Sequence, residues 1–366
     1  MRWWTSITNG SYDMELYINT YGSYIRKKDE MFEVSVEGKR QKLAPNKISS
    51  IVISNAATIS TDAIQLAMEH NIDIVFLDQY GDPYGRIWFP KIGSTVTIRR
   101  RQLEMLQNEQ GLSFIKERIA LKIMNQYRLL KKLISKRSIP DGKYAGSLER
   151  MWESAQNVMN AEGSLKDMAP SFMGWEGNAG KNYYAVLADL LPEAYRFQGR
   201  SSRPAKDAFN LFLNYGYGML YSKVERALII AGLDPYIGLL HSDNYNKKSF
   251  VFDFIEPYRI MVDEPVFYIF SRHKFKPEFL QPAHNGVLLT TLGKKFLAPI
   301  LLEHFDSIIR HHNKNRKRVD AIQADAHAFA NALVGKRKDY LDASENTRLQ
   351  NFLAKKEDSD PQEEPC

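Results

Sequence analysis

Two glycines two residues apart, Gly216 and Gly218, lie inside a run that otherwise has the marks of a long helix. Asp207 can cap its start and Gly232 can end it, so the sequence predicts a helix from about Asp207 to Ala231. Phe209, Phe212, Leu213, Gly216, Leu220, Val224, Ala227 and Ala231 recur at spacings of three and four, which gives the helix a buried face. A glycine costs a helix interior roughly 1 kcal/mol relative to alanine. Two of them in one helix imply that another part of the chain packs directly on the helix backbone.

After Gly232 the chain turns at Asp234-Pro235, runs apolar to Leu240, and presents His241, a polar loop and the segment Ser249 to Glu256. Asp253 and Glu256 are three apart and share a face if that segment is helical. Pro257 is tolerated only in the first turn of a helix, so the carboxylates are expected at or just before a helix start. An imidazole and two carboxylates brought together by a loop can hold a divalent metal. The same residues also suit a core or hinge histidine with solvated or salt-bridged acids, and spacing leaves both readings open.

The 366 residues have room for two domains and a real core. No apolar run approaches the length of a membrane span, and the first residues lack the apolar core of a signal peptide. The single cysteine is Cys366, so no internal disulfide is expected and the cytoplasm is the natural compartment. Net charge is +7, although Leu353 to Cys366 carries two lysines against five acids. A basic body with an acidic tail fits a polyanionic partner.

Residues 1–93 read as a β-rich domain. Glu15 to Arg26, Met31 to Val36, Ile48 to Ile53, Ile72 to Leu77 and Arg86 to Phe89 are strand candidates. Glu37-Gly38 is a plausible hairpin turn, and Thr20-Tyr21-Gly22 is expected at a second hairpin tip. Ser60 or Thr61 caps one short helix whose inner face is Ile64, Ala67 and Met68. Pro90 to Thr97 is a linker, and helical periodicity dominates from Arg99. It covers Gln102 to Lys136, broken at Gly111, then Ser147 to Ala161, and a helix within Leu165 to Leu191. Phe197 to Lys206 is a basic loop, and Leu288 to Ile309 a further helical region. Arg310 to Arg318 is the densest basic run, expected as a solvated connector or a nonspecific DNA contact. No carboxylate set near His311-His312 in the sequence supports a metal there. Residues 94–340 are therefore expected as an all-α domain, and 341–366 as a polar, disordered tail.

Three pieces carry a resemblance. L-N-Y-G-Y-G-M-L-Y, A-G-L-D-P-Y-I-G-L-L-H-S-D and D-F-I-E-P-Y-R lie between Leu213 and Arg259, and G-W-E-G-N-A-G-K-N-Y-Y runs from Gly174 to Tyr184. Their order and spacing resemble the CRISPR adaptation integrases, the Cas-one family of DNA endonucleases. One departure is Gly180, where the family usually has alanine; neither is a ligand.

The resemblance implies an α+β chain, a small N-terminal β-sandwich followed by a larger all-α catalytic domain. It implies that Glu176, His241 and Glu256 hold one divalent ion, Mg²⁺ or Mn²⁺, with Asp253 orienting a ligand or water from behind. It implies insertion of foreign DNA fragments into a CRISPR array by attack of a 3′-OH on a phosphodiester. Expected partners are double-stranded or forked DNA, a second copy of the chain, and a small Cas-two dimer bridging two homodimers, with no membrane. Tyr21 matches an aromatic wedge that stacks on a duplex end, while Arg200, Arg203 and Lys206 match a phosphate-binding loop. Two other readings stay open, a stand-alone metal nuclease on branched DNA and a non-catalytic DNA-binding scaffold.

Overall fold

The computed structural model describes residues 14–88, 96–202, 204–241, 247–283, 286–312 and 314–335. Arg203 and the tail 341–366 thus lie outside the described residues, as does Phe89. The strands are β1 Met14–Ile18, β2 Ser23–Lys28, β3 Met31–Val36, β4 Lys39–Leu43, β5 Ile48–Ile53, β6 Ala57–Ile59, β7 Asp73–Leu77, β8 Pro83–Ile87, β9 Leu280–Ala283, β10 Gly286–Leu289, β11 Ile308–His311 and β12 Lys314–Lys317. The helices are α1 Thr61–Glu69, α2 Val96–Glu104, α3 Glu109–Ser135, α4 Ala145–Asn160, α5 Leu165–Asp189, α6 Ala208–Ala231, α7 Ser249–Ile255, α8 Ile260–Ser271, α9 Thr291–Asp306 and α10 Arg318–Leu333. Among the described residues no helix is long and apolar enough to cross a membrane.

The chain forms two compact units, and neither is continuous in sequence. The first is Met1–Ile92 with Ser201–Ser222 and Phe275–Asp306; the second is Gly93–Arg200, Lys223–Lys274 and Ser307–Cys366.

The first unit holds two four-stranded sheets, in the orders β1-β5-β7-β8 and β4-β3-β2-β6. Leu16, Ile18, Ile25, Phe32, Val34, Ile51, Ile74 and Leu66 are fully buried in one hydrophobic core fed by both sheets and α1. In the first sheet β1, β5 and β7 run parallel and are buried almost without a break. A second covered face explains this. The first half of α6 supplies that cover, where Tyr17 and Tyr215 share a buried hydroxyl hydrogen bond of 2.6 Å. A Cβ at Gly218 would strike the Gly81 carbonyl and come within 2.8 Å of the Asp82 nitrogen. This is the backbone contact that the paired glycines imply.

The expected hairpin at Thr20-Tyr21-Gly22 is not one. β1 pairs with β5 and β2 pairs with β3 and β6, so this turn carries the chain from one sheet to the other. Gly22 turns at φ +73° and donates to the Ala56 carbonyl at 2.9 Å. The Glu37-Gly38 hairpin does form, with φ +50° and +78°, and joins β3 to β4. In α1 the buried centre is Ala63, Leu66 and Ala67, with Ile64 and Met68 only partly buried at its margin. The last strand begins at Pro83, not Arg86, in antiparallel register with β7.

The second unit is mostly helical but not all-α. The Arg310 to Arg318 run is not a connector, because Ile308–His311 and Lys314–Lys317 form an antiparallel hairpin. Its charged composition hides the alternation by which a strand is recognised. The helix broken at Gly111 breaks earlier, at a short turn over Met105–Gln107, and Asn108 caps α3 by accepting from Gly111 N. A packed aromatic group from α3, α7 and α10 centres this unit: Phe114 lies 4.6 Å from Phe329, 5.8 Å from Phe250 and 6.3 Å from Phe254.

Candidate metal and DNA-processing site

Glu176 projects from the middle of α5, which Ser164 caps at its start. Glu256 begins a short turn, Glu256–Tyr258, that Pro257 opens between α7 and α8. Asp253 is not at a helix start as expected but inside α7. Its buried carboxylate accepts from the backbone N–H groups of Leu239 (2.6 Å), Leu240 (3.2 Å) and His241 (3.2 Å). Those amides face no strand or helix, and Asp253 is their means of satisfaction on burial. The same carboxylate meets His241 Nδ1 at 2.5 Å, which fixes the ring and leaves Nε2 as its other nitrogen. Gly238 permits this tight path, since a Cβ there would come within 2.7 Å of the His241 carbonyl oxygen.

Lys122, on α3, is the residue that sequence reading missed. Its ammonium bonds Glu176 Oε1 and reaches Glu256 Oε2 at 2.6 Å, while Arg259 grips Glu256 with two bonds of 2.8 and 2.9 Å. Burial pushes the Lys122 pKa down, yet the two carboxylates reverse this and hold it above its ordinary range. Burial pushes Glu256 up, and Arg259 with Lys122 brings it well below the usual carboxylate range. For His241 burial pushes the pKa down, but the Asp253 bond and charge, with Glu256 and Glu176 behind, leave it raised. A Lys in an amphipathic helix gives no sequence signal for this role; only the fold brings α3, α5 and the Glu256 turn together.

A groove of about 810 Å³ runs beside Glu176, lined among others by Lys122, Lys181, Tyr184, Arg196 and Arg200. Arg200 therefore lines the same groove as Glu176. Lys206 and Tyr21 belong to the first unit, where Lys206 is exposed and Tyr21 is 77% exposed.

The model of the family described as CRISPR associated protein Cas1 matches residues 16–301. The chain belongs to the Cas1 family. A relative named CRISPR-associated endonuclease Cas1 1, from Archaeoglobus fulgidus, is 32% identical over 89% of this chain and 98% of its own length. CRISPR-associated protein Cas1 3 of Methanobrevibacter ruminantium is 30% identical over 75% of this chain and 84% of its own. The Cas1 fold extends to solved structures. A casposase bound to an integration product superposes with a TM-score of 0.77 at 19% identity, covering 92% of this chain and 98% of that one. A Cas1 protein from Thermotoga maritima gives 0.72 at 20% identity, covering 87% and 96%. At these identities the likeness is one of fold.

Glu176, His241 and Glu256 are donors of the kind a hard divalent ion takes. Two carboxylates and one imidazole suit Mg²⁺ or Mn²⁺, the imidazole favouring Mn²⁺. The two carboxylates already share one cation, the Lys122 ammonium. Glu176, His241 and Glu256 are not a set whose three ligand atoms lie within 4.8 Å of one another. Among the described residues such a set exists elsewhere, at His311, His312 and Asp325. The expectation that no carboxylate supports the histidine pair is thereby corrected: Asp325 comes from α10, beyond the reach of local spacing.

Proposed function

We propose that this Cas1-family chain is a metal-dependent DNA integrase and endonuclease that inserts DNA fragments into a CRISPR array. The carrying observation is that Glu176 and Glu256 share a single cation while Asp253 holds the His241 ring within the field of both carboxylates. Glu176, His241 and Glu256 would hold Mg²⁺ or Mn²⁺. When bound, the ion polarises the target phosphodiester and offsets charge on the attacking and leaving oxygens.

In integration the 3′ oxygen of the incoming strand forms a bond to phosphorus as the target's own P–O3′ bond breaks. The number of phosphodiesters is unchanged, and the proton of the attacking hydroxyl is released. With water in place of the 3′-OH the same residues cut DNA, which agrees with the endonuclease names of the relatives. Lys181, Arg196 and Arg200 along the groove hold backbone phosphates and set the register of the strand. A divalent ion held by Glu176 and Glu256 would take over the role that the Lys122 ammonium now plays between them, leaving Lys122 as a positive charge at the edge of the groove. Asp253 keeps His241 oriented throughout.

We take the two sheets of the first unit as the family's β-sandwich, serving the homodimer contact and DNA support. The helical unit is then the catalytic domain. The neighbours described as a casposase bound to integration product and as a Cas6-RT-Cas1–Cas2 complex support DNA and Cas2 as partners; we take that DNA as forked and Cas2 as a small dimer bridging two homodimers. The test is half-site integration of a labelled fork into a repeat-bearing plasmid, with and without Mn²⁺. Metal-dependent joined product is expected. Cutting without joining would leave a stand-alone nuclease, and neither reaction would leave a DNA-binding scaffold.

A further inference from the structure

The β11–β12 hairpin and α10 build a second cluster of metal-ligating side chains in the helical unit. Adjacent residues on a strand point to opposite faces. His311 and His312 do not, because His312 leaves the strand at φ +47°, the left-handed conformation that tight hairpin turns use and that His adopts more readily than most residues. That turn brings both imidazoles to one carboxylate. His311 Nε2 is 2.8 Å and His312 Nε2 2.9 Å from the same Asp325 Oδ1, and the two rings lie 4.0 Å apart. The other oxygen, Oδ2, accepts the Tyr258 hydroxyl at 2.5 Å. His311 and Asp325 are buried, while His312 keeps 27% of its side chain exposed.

We propose that His311, His312 and Asp325 form a second metal site, for a first-row divalent transition ion of the zinc class, tied by Tyr258 to the turn that carries Glu256. Two imidazoles and one carboxylate are the three-ligand pattern that Zn²⁺ accepts, with one position left for water. The half-exposed edge at His312 gives that water its access. The left-handed turn at His312 serves the site, since an extended residue would send its ring to the other side of the hairpin. Tyr258, bonded to the far oxygen of the carboxylate, orients the ligand as outer groups do in known metal sites. Only one carboxylate faces the ion, and the Arg118 guanidinium acts on it as well. The imidazoles therefore dominate the affinity, and the site rejects Mg²⁺ and Ca²⁺, which prefer oxygen shells. That selectivity separates it from the Glu176–His241–Glu256 group. Because Tyr258 is two residues from Glu256, the ion would brace the catalytic turn from its protein side.

The full-length protein, stripped with chelator, is titrated with Zn²⁺ by calorimetry and with Co²⁺ as a coloured probe, Mg²⁺ serving as control. Wild type and His241→Ala should each retain one Zn²⁺ per chain that Mg²⁺ does not displace, with the visible bands of nitrogen-ligated Co²⁺. His312→Ala should lose that ion while its circular dichroism stays that of wild type. Tyr258→Phe should keep the stoichiometry and weaken affinity by about 10–100-fold. If His241→Ala takes up no such Zn²⁺ and shows no Co²⁺ bands, the proposal fails without recourse to any variant of the cluster. If His312→Ala binds as wild type does, the three residues are a hydrogen-bonded cluster and nothing more.

Discussion

The Lys122 ammonium lies 2.6 Å from Glu256 Oε2 and also bonds Glu176, so one lysine bridges two acids that come from different parts of the chain. Its side chain is 14% exposed and that of Glu256 3%, which makes the pair a buried one. Removing one partner of such a pair strands the other charge. Lys122→Met should therefore destabilise the metal-free protein by about 3 kcal/mol, Arg259 still pairing Glu256. Mn²⁺ should raise the Tm of the variant more than that of wild type, because no ammonium competes for the carboxylates. Melting curves with and without Mn²⁺ check both, and an equal metal shift in the two proteins would remove Lys122 from the site.

His241→Ala, Glu176→Gln and Glu256→Gln should each abolish strand joining and cutting. DNA affinity should stay near wild type, because the phosphate contacts are assigned to Lys181, Arg196 and Arg200. Groups that act as one unit give non-additive losses, so a double variant should be no slower than the worse single one. Single-turnover joining beside filter binding measures the split. A His241→Ala protein that still joins ends at the wild-type rate would end this assignment.

His241 should titrate above its ordinary value near 6.5 in the metal-free protein. Burial works against the imidazolium, and the Asp253, Glu256 and Glu176 carboxylates outweigh it. The folded-state pKa is raised, so the contribution to stability is full below the unfolded pKa and fades as pH rises through the folded one. Asp253→Asn removes the strongest favourable partner and should drop the pKa below that of wild type. An NMR titration of the His241 ring protons in both proteins gives the sign directly.

Tyr21 is 77% exposed, so truncating it removes little packing. Tyr21→Ala should leave the Tm unchanged and lose about 1–3 kcal/mol on forked DNA if its ring stacks on a duplex end. Tyr21→Phe should keep most of that affinity, and uniform duplex should bind all three proteins alike. Unchanged fork binding by the alanine variant would take the wedge out of this account.

Gly218→Ala is the sharpest stability test. The added methyl has to displace the Gly81 backbone, which is held in its own turn at φ +92°. Overpacking of this kind costs about 1–3 kcal/mol or more. Thermal melting should show the loss, whereas Gly180→Ala, with open space around its Cβ, should be neutral or better.

By itself the sequence determined those features whose cause is local. The limits of α6 were legible because Asp207 Oδ1 accepts from Asn210 N and Gly232 turns at φ +84°, both within a few residues of the ends. The Glu37-Gly38 hairpin was legible because two positive φ values select its residues. Glu176, His241, Asp253 and Glu256 were legible as motif positions. What they do to one another was not: Lys122, 54 and 134 residues from its two carboxylates, became a partner only when α3 packed beside α5 and the Glu256 turn. Asp325 met His311-His312 because a hairpin of charged residues folded back on α10, and charge alternation carries no hydrophobic period to announce a strand. The turn at Tyr21 read as a hairpin because local pattern fixes where strands lie, while pairing is a long-range choice made by the shared core. The return of residues 201–222 and 275–306 to the first unit has the same origin. Burial of the second face of a sheet rewards whatever apolar segment reaches it, at any distance along the chain.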